Sequence, residues 1–141
     1  MKAADFRTVR LAYEGMGEAM RERSTHKVDR DAVAQGIRLL REAGFTAAEV
    51  GAYILHGLPG LAPAEIRADL EFAHSLGAQL FLTSYSPIPR TPDFERAAAA
   101  WPALRDEPLL HNNTLTMIRD WPEYVRLKAY SVELNRRLER R

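Results

Sequence analysis

The sequence predicts an α/β fold built on a parallel sheet, and two observations carry that expectation. Short strand-like runs alternate with helical ones in the order β-α-β-α-β over residues 7–85, and a glycine follows each helical run before the next strand begins. Strands joined through helices run parallel. Right-handed crossovers between sequential neighbours then place both helices on one side of the sheet.

Each element follows from local pattern. In "RTVRLAY", residues 7–13, Val9, Leu11 and Tyr13 recur at period two, which predicts a short strand. After the polar stretch "EGMGEAMRERSTHKV", Asp29 can cap a helix over about residues 30–43, with Val33, Ile37 and Leu40 on one face. Gly44 supplies the left-handed stop and Phe45 the apolar contact after it. "VGAYILH", residues 50–56, is apolar on both faces, as a buried parallel strand is. Pro63 suits the first turn of a second helix whose stripe is Ile66, Leu70 and Ala73, and Gly77 ends it. "LFLTSY", residues 80–85, is the third strand. Beyond it, the five prolines of "SPIPRTPDFERAAAAWPALRDEPLLHNNT" argue against a regular sheet and for a loop ordered against something else. A last helix is expected from about Pro122 toward Arg141, with Leu127, Tyr130, Leu134 and Leu138 packing on the domain.

Composition narrows the function classes. The 141 residues are 46% hydrophobic and 28% charged, as in an ordinary globular chain, and 20 basic against 19 acidic residues leave a net charge of +1. No global field points to nucleic acid or to an anionic membrane, and "RRLERR" reads as a solvated helix end. No run approaches the length of a membrane span, and "MKAADFRTVRL" lacks the apolar core of a signal peptide, so the expected location is cytoplasmic. The chain has no cysteine, which excludes disulfides, thiol catalysis and thiolate ligation of zinc or iron–sulfur clusters by its own residues.

The stretch "YILHGLPGLAPAEI", residues 53–66, is where chemistry would gather, because ligands of parallel α/β folds lie at the carboxyl ends of strands. Gly57 and Gly60 allow a flat ligand or a neighbouring backbone to come close, and Pro59 stiffens the turn between them. Leu55 points to the same side as Gly57 and offers an apolar surface. The same four residues also read as a tight strand-to-helix turn. No Walker lysine follows, Met20 stands where Gly15-x-Gly17 would need a third glycine, and His26, His56, His74 and His111 are too scattered for a local metal pair. His56, at a strand end, reads as a packed or hydrogen-bonded residue before it reads as a base.

Four segments in order, "VRLAYEG", "HKVDRDAVAQGIRLLREAGF", "AYILHGLPGLAPAEI" and "LFLTSYSPIPRTPDF", resemble the carboxyl-terminal half of a radical SAM enzyme core, in the group whose last strand leads into Tyr-Ser-Pro-Ile-Pro-Gly-Thr-Pro. The resemblance covers about residues 6–95, and "EPLLHNNT" with the final helix is similar to the extension that often follows. It implies a partial (β/α) barrel of TIM-like type, of which these are the fourth, fifth and sixth strands, with residues 1–95 as core and 96–141 as loop and helical extension. It implies S-adenosylmethionine as cofactor, cleaved reductively at a [4Fe–4S] cluster to give a 5′-deoxyadenosyl radical.

Carried over residue by residue, the resemblance implies cofactor contacts at Glu14, near the ribose or methionyl group, and at Lys27, facing the cofactor carboxylate. Tyr53, Leu55 and Gly57 align with the fifth-strand cofactor segment, whose apolar residue, here Leu55, would pack on adenine, although Tyr53 stands where the family has a glycine and Gly60 where it has an acid. Backbone groups at Tyr85, Ser86 and Ile88 would meet the adenine edge, and Arg90 replaces the glycine of Pro-Gly-Thr-Pro, which should restrict and redirect that turn. The CxxxCxxC that holds the cluster in the family is absent from this sequence, so a cluster is expected only if another chain supplies the ligands, and this chain alone is expected to be inactive. Three parallel strands leave two unpaired edges. The expected partner is the missing amino-terminal half of the barrel, or a second copy through the open edges, with the chain a split subunit, a truncated gene product or a relic. The alternative is a non-catalytic α/β module that binds a nucleotide or a protein.

Overall fold

A computed structural model of the protein describes residues 2–13, 30–112 and 121–139. The three expected strands form, as β1 (Val9–Tyr13), β2 (Val50–His56) and β3 (Gln79–Ser84). They pair in the order β1-β2-β3, both pairs parallel. Register turns the period-two alternation into rows. Leu11, Ala52 and Leu80 lie side by side, as do Tyr13, Ile54 and Leu82, and these rows share one face. Arg10, Gly51 and Gln79, then Ala12, Tyr53 and Phe81, form the rows of the other.

Helices cover the first face. Val33 and Ile37 of α1 (Arg30–Glu42), Ile66, Leu70 and Ala73 of α2 (Pro63–Ser75), and Leu127 and Leu134 of the carboxyl-terminal helix (Trp121–Glu139) join the inward strand residues in one buried cluster. Each buried aliphatic side chain there contributes on the order of 1.5–3 kcal/mol by leaving water, which makes this layer the main source of stability. Both crossover helices stop as their sequences require. Phe45 N–H bonds the Leu40 carbonyl and Gly44 N–H that of Arg41, and Ala78 and Gly77 repeat the pattern on Ala73 and His74. Asp29, the expected cap of α1, lies outside the described residues.

The stretch after β3 departs from the expected loop. No strand forms among its described residues, but Pro92–Ala100 is a helix, α3, followed by 3₁₀ turns at Pro102–Arg105 and Pro108–Asn112. Pro92 starts that helix rather than breaking it, because a first-turn proline forfeits only an N–H that has no partner in the helix. Thr91 caps it, its Oγ1 accepting from Phe94 N–H at 3.1 Å, and the alanine run supplies the strongest helix former. Phe94, Ala97 and Ala98 of α3 bury a second cluster with Leu58, Tyr85 and Leu104, against which Leu55 packs.

The helix Trp121–Glu139 is α4, and it also changes the expectation of two open edges. Asn135 lies beside β3, where its Oδ1 accepts from Leu80 N–H at 2.8 Å and its Nδ2 donates to the Leu80 carbonyl at 2.9 Å. One amide thus imitates a neighbouring strand and blunts that edge. Tyr130 of α4 donates to Glu71 of α2 at 2.8 Å under the guanidinium of Arg67, which fixes α4 against α2. On the opposite edge, β1 has β2 as its only strand neighbour among the described residues. No helix among them is long and apolar enough to cross a membrane.

Asn135→Ala should leave both Leu80 backbone groups without their partner and lower stability by about 1–3 kcal/mol. Urea unfolding would show a lower midpoint, and light scattering more self-association. An unchanged midpoint would mean that water replaces the amide at no cost.

Candidate functional site

The carboxyl ends of β2 and β3 are shaped by two turns of the same kind. In Leu58-Pro59-Gly60-Leu61, the Leu61 N–H bonds the Leu58 carbonyl at 3.1 Å and Gly60 has φ +85°. In Ile88-Pro89-Arg90-Thr91, the Thr91 N–H bonds the Ile88 carbonyl at 3.3 Å and Arg90 has φ +68°. Proline second and a left-handed residue third is the type II arrangement. Arg90 is the left-handed residue of its turn. It adopts the conformation a glycine would take there and bears the steric cost, on the order of 1–2 kcal/mol. Gly57, with φ +82°, provides the first bend out of β2.

Behind the first turn is a cavity of about 270 Å³, walled by residues 57–61, by Pro63 and Ile66 at the start of α2, and by Ala97 and Ala100 of α3, with His56 among its lining. His56 is 8% exposed and packs at a 60° tilt against Tyr124 of α4 with ring centroids 5.0 Å apart, so it is packed, as its position suggested. Burial pushes its pKa below the ordinary histidine value, and Glu123 opposes the shift only in part. The ring is neutral at pH 7, and its Nδ1 has no hydrogen-bond partner among the described residues. At the helix start, the Glu65 carboxylate accepts the Ala62 N–H at 2.8 Å, so the positive end of α2 already holds an anion.

The second sheet face carries a stack that sequence reading missed. Arg10 Nη1 donates to the Tyr53 hydroxyl at 2.9 Å, and its guanidinium lies 4.2 Å from the Phe81 ring centroid and 5.8 Å from that of Tyr53. Phe81 leans across Gly51, where an added Cβ would meet its Cε2 at 2.6 Å. This face is therefore half-covered, and β2 is not buried on both sides as its apolar run had suggested. The signal available was Gly51 beside aromatics at period two.

A second unforeseen group anchors the end of β1. The buried Tyr13 hydroxyl donates to Asp69 Oδ1 of α2 at 2.8 Å, and Arg30 Nε donates to the same hydroxyl at 3.3 Å. Arg30 also lies 3.6 Å from Asp69. Burial, ahead of the carboxylate, raises the Tyr13 pKa far above the usual phenol range, so the hydroxyl keeps its proton. Asp69 sits between Ile66 and Ala73 in an otherwise apolar stripe, which was its signature in the sequence.

Of the residues singled out beforehand, Leu55, Gly57, Tyr85 and Ser86 come together at the ends of β2 and β3. Leu55 is half-buried and shares a cluster with Tyr85, whose N–H donates to the His56 carbonyl at 2.8 Å. Ile88 is apart from them, 63% exposed, with its carbonyl engaged by Thr91. Glu14 and Lys27 lie outside the described residues. No cluster of histidine, aspartate and glutamate suited to a metal occurs among the described residues. Compared with models of known protein families and with curated proteins, the chain matches none.

The two turns make opposite predictions. Gly60→Ala forces a Cβ into the left-handed region and should cost about 1 kcal/mol, whereas Arg90→Gly relieves that cost and should stabilise by up to about 1 kcal/mol. Calorimetric melting would show the first variant below the parent and the second above it. Two shifts of the same sign would contradict the turn assignment.

Proposed function

We propose that this chain provides the carboxyl-terminal half of a radical SAM core, the wall of a partial (β/α) barrel against which S-adenosylmethionine lies. The observation that carries the reading is the one-sided sheet. Crossover helices cover one face of three parallel strands, while the other, covered only in part by the Arg10–Tyr53–Phe81 stack and the α3 cluster, carries half-buried Leu55 beside the Gly57 bend at the carboxyl ends. In barrels of parallel strands that inward face and that end form the ligand site.

The edges support the same arrangement. Asn135 and α4 close β3, as suits the last strand of an open barrel, and β1, with no other strand beside it among the described residues, would accept a preceding strand. The helix above β1 has an apolar flank on that side. Gly36 rests on Leu11 and Arg30 reaches across to Phe72, so Leu39, one turn beyond Gly36, faces away from α2 and is 53% exposed. A neighbouring β/α unit would cover Leu39 together with the β1 edge.

The donor set limits what this chain does. Without cysteine it holds no [4Fe–4S] cluster, whose thiolates would come from residues outside this sequence. S-adenosylmethionine supplies the adenosyl group that the family's chemistry uses. The contribution of these residues is to bind and orient it, with Leu55 as apolar support for adenine and Gly57 allowing close approach of the backbone. The tight Tyr13–Asp69–Arg30 group holds the end of β1 level with that surface.

The test is reconstitution with an amino-terminal half that bears CxxxCxxC and three β/α units. Under reducing conditions the complex should form 5′-deoxyadenosine, and neither half alone should. Leu55→Asp should weaken cofactor binding at least about tenfold, because an unpaired charge against adenine costs more than one hydrogen bond's worth of energy. Lys128→Ala, exposed on α4, should change little. Equal affinity of the folded Leu55→Asp complex and its parent would refute the cofactor wall and leave an interaction module as the better reading.

A further inference from the structure

Among the paired positions of the second sheet face, Arg10 is the only charged residue. Its side chain crosses the sheet. The stem passes over Gly51 of β2, where an added Cβ would lie 3.4 Å from Arg10 Cγ, and the guanidinium reaches the Phe81 ring of β3 at 4.2 Å while Nη1 donates to the Tyr53 hydroxyl at 2.9 Å. These contacts hold a long cation down on the face, yet Arg10 stays exposed. Among the described residues, no carboxylate lies within ion-pair distance of it, and the ion pairs present belong to other cations. In water the solvent carries this charge. Under a covering unit it cannot, because burying a cation without a counter-charge is costly and a hydroxyl does not neutralise it. A guanidinium already oriented by its neighbours offers a planar fork that suits a carboxylate. Arg10 pairs with Gly51, four residues before Leu55 on β2, so it lies about 13 Å nearer the amino ends of the strands than the apolar wall does.

We propose that the unit covering the second sheet face is a polypeptide that sets an aspartate or glutamate against the Arg10 guanidinium. The inference rests on the reading of this chain as half of a barrel, and it adds the chemistry by which the other half is recognised. A second copy of this chain laid face to face fits poorly, since its paired positions bring no carboxylate and set Arg10 against uncharged or like-charged neighbours.

The experiment measures assembly of the full chain with the amino-terminal half used for reconstitution, by titration calorimetry without S-adenosylmethionine, with every variant folded by circular dichroism. Arg10→Met keeps a stem over Gly51 and a side chain against Phe81 but removes the charge. It should weaken assembly at least about tenfold, because the partner carboxylate is then buried alone. Arg10→Lys should recover part of that loss and, with a water-soluble carbodiimide, should form an amide cross-link to one aspartate or glutamate of the other half, located by mass spectrometry. Arg136→Met, exposed on α4, makes the same change in net charge and should leave assembly unchanged. If the halves assemble and Arg10→Met binds as tightly as the parent or more tightly, the proposal is overturned and the barrel reading stands. Halves that do not assemble overturn both. A dimer of this chain through the same face, strengthened by Arg10→Met, would make a second copy the occupant and overturn the proposal as well.

Discussion

The structure depends on one topological constraint. Two helical crossovers between sequential parallel strands, both of the same hand, must lie on the same face of the sheet. One face therefore receives α1, α2 and α4 and becomes the core, where Tyr13, Ile54, Leu70 and Leu127 are almost wholly buried. The other receives no helix from these crossovers. At its amino-terminal half the chain compensates with the Arg10–Tyr53–Phe81 stack, and at its carboxyl-terminal half with the small cluster that α3 brings to Leu55 and Tyr85.

Local polar devices then fix what the layer leaves free. Asn135 finishes the β3 edge, and Tyr13, Asp69 and Arg30 join β1, α2 and α1 near the carboxyl end of β1. The carboxylate of Asp69 is 2% exposed, so the hydroxyl and the guanidinium beside it are what make its burial tolerable. The two proline turns give neighbouring β-to-α loops a common geometry, at the cost of a left-handed arginine in one of them. The two edges are unequal. Among the described residues, β1 has no neighbour on its outer side, whereas Asn135 obstructs β3.

Much of the fold was legible because it rests on periodicity. Val33 and Ile37, Ile66 and Leu70, and Leu127 and Leu134 are all core residues at helical spacing, and residues 50–56 form β2 as expected. What escaped was set by long-range partners or by one-residue context. Thr91 and Pro92 begin a helix although proline was read as a loop signal, and Asn135 could not be seen as an edge cap before β3 lay beside it. Arg10 reads as a surface cation until Gly51 lets Phe81 lie beneath it. At the candidate site, the convergence of Leu55, Gly57, Tyr85 and Ser86 followed from strand ends, while the cavity depended on α3, which sequence reading had not supplied. The radical SAM proposal itself rests on the resemblance of four segments and on the arrangement of the sheet.

The central claim is that the second sheet face is a surface kept for another unit, and the absence of native cysteine makes it directly measurable. Ala12→Cys places one thiol on that face, in the edge strand β1 beside Tyr53, and Ala99→Cys places one on the exposed side of α3. The measurement is the rate of thiol modification at position 12, relative to position 99, with and without the reconstituting amino-terminal half. Comparable rates in the chain alone, with selective protection of position 12 in the complex, are the result this account predicts. Slow modification of position 12 in the chain alone, or equal rates at both positions in the complex, would contradict it.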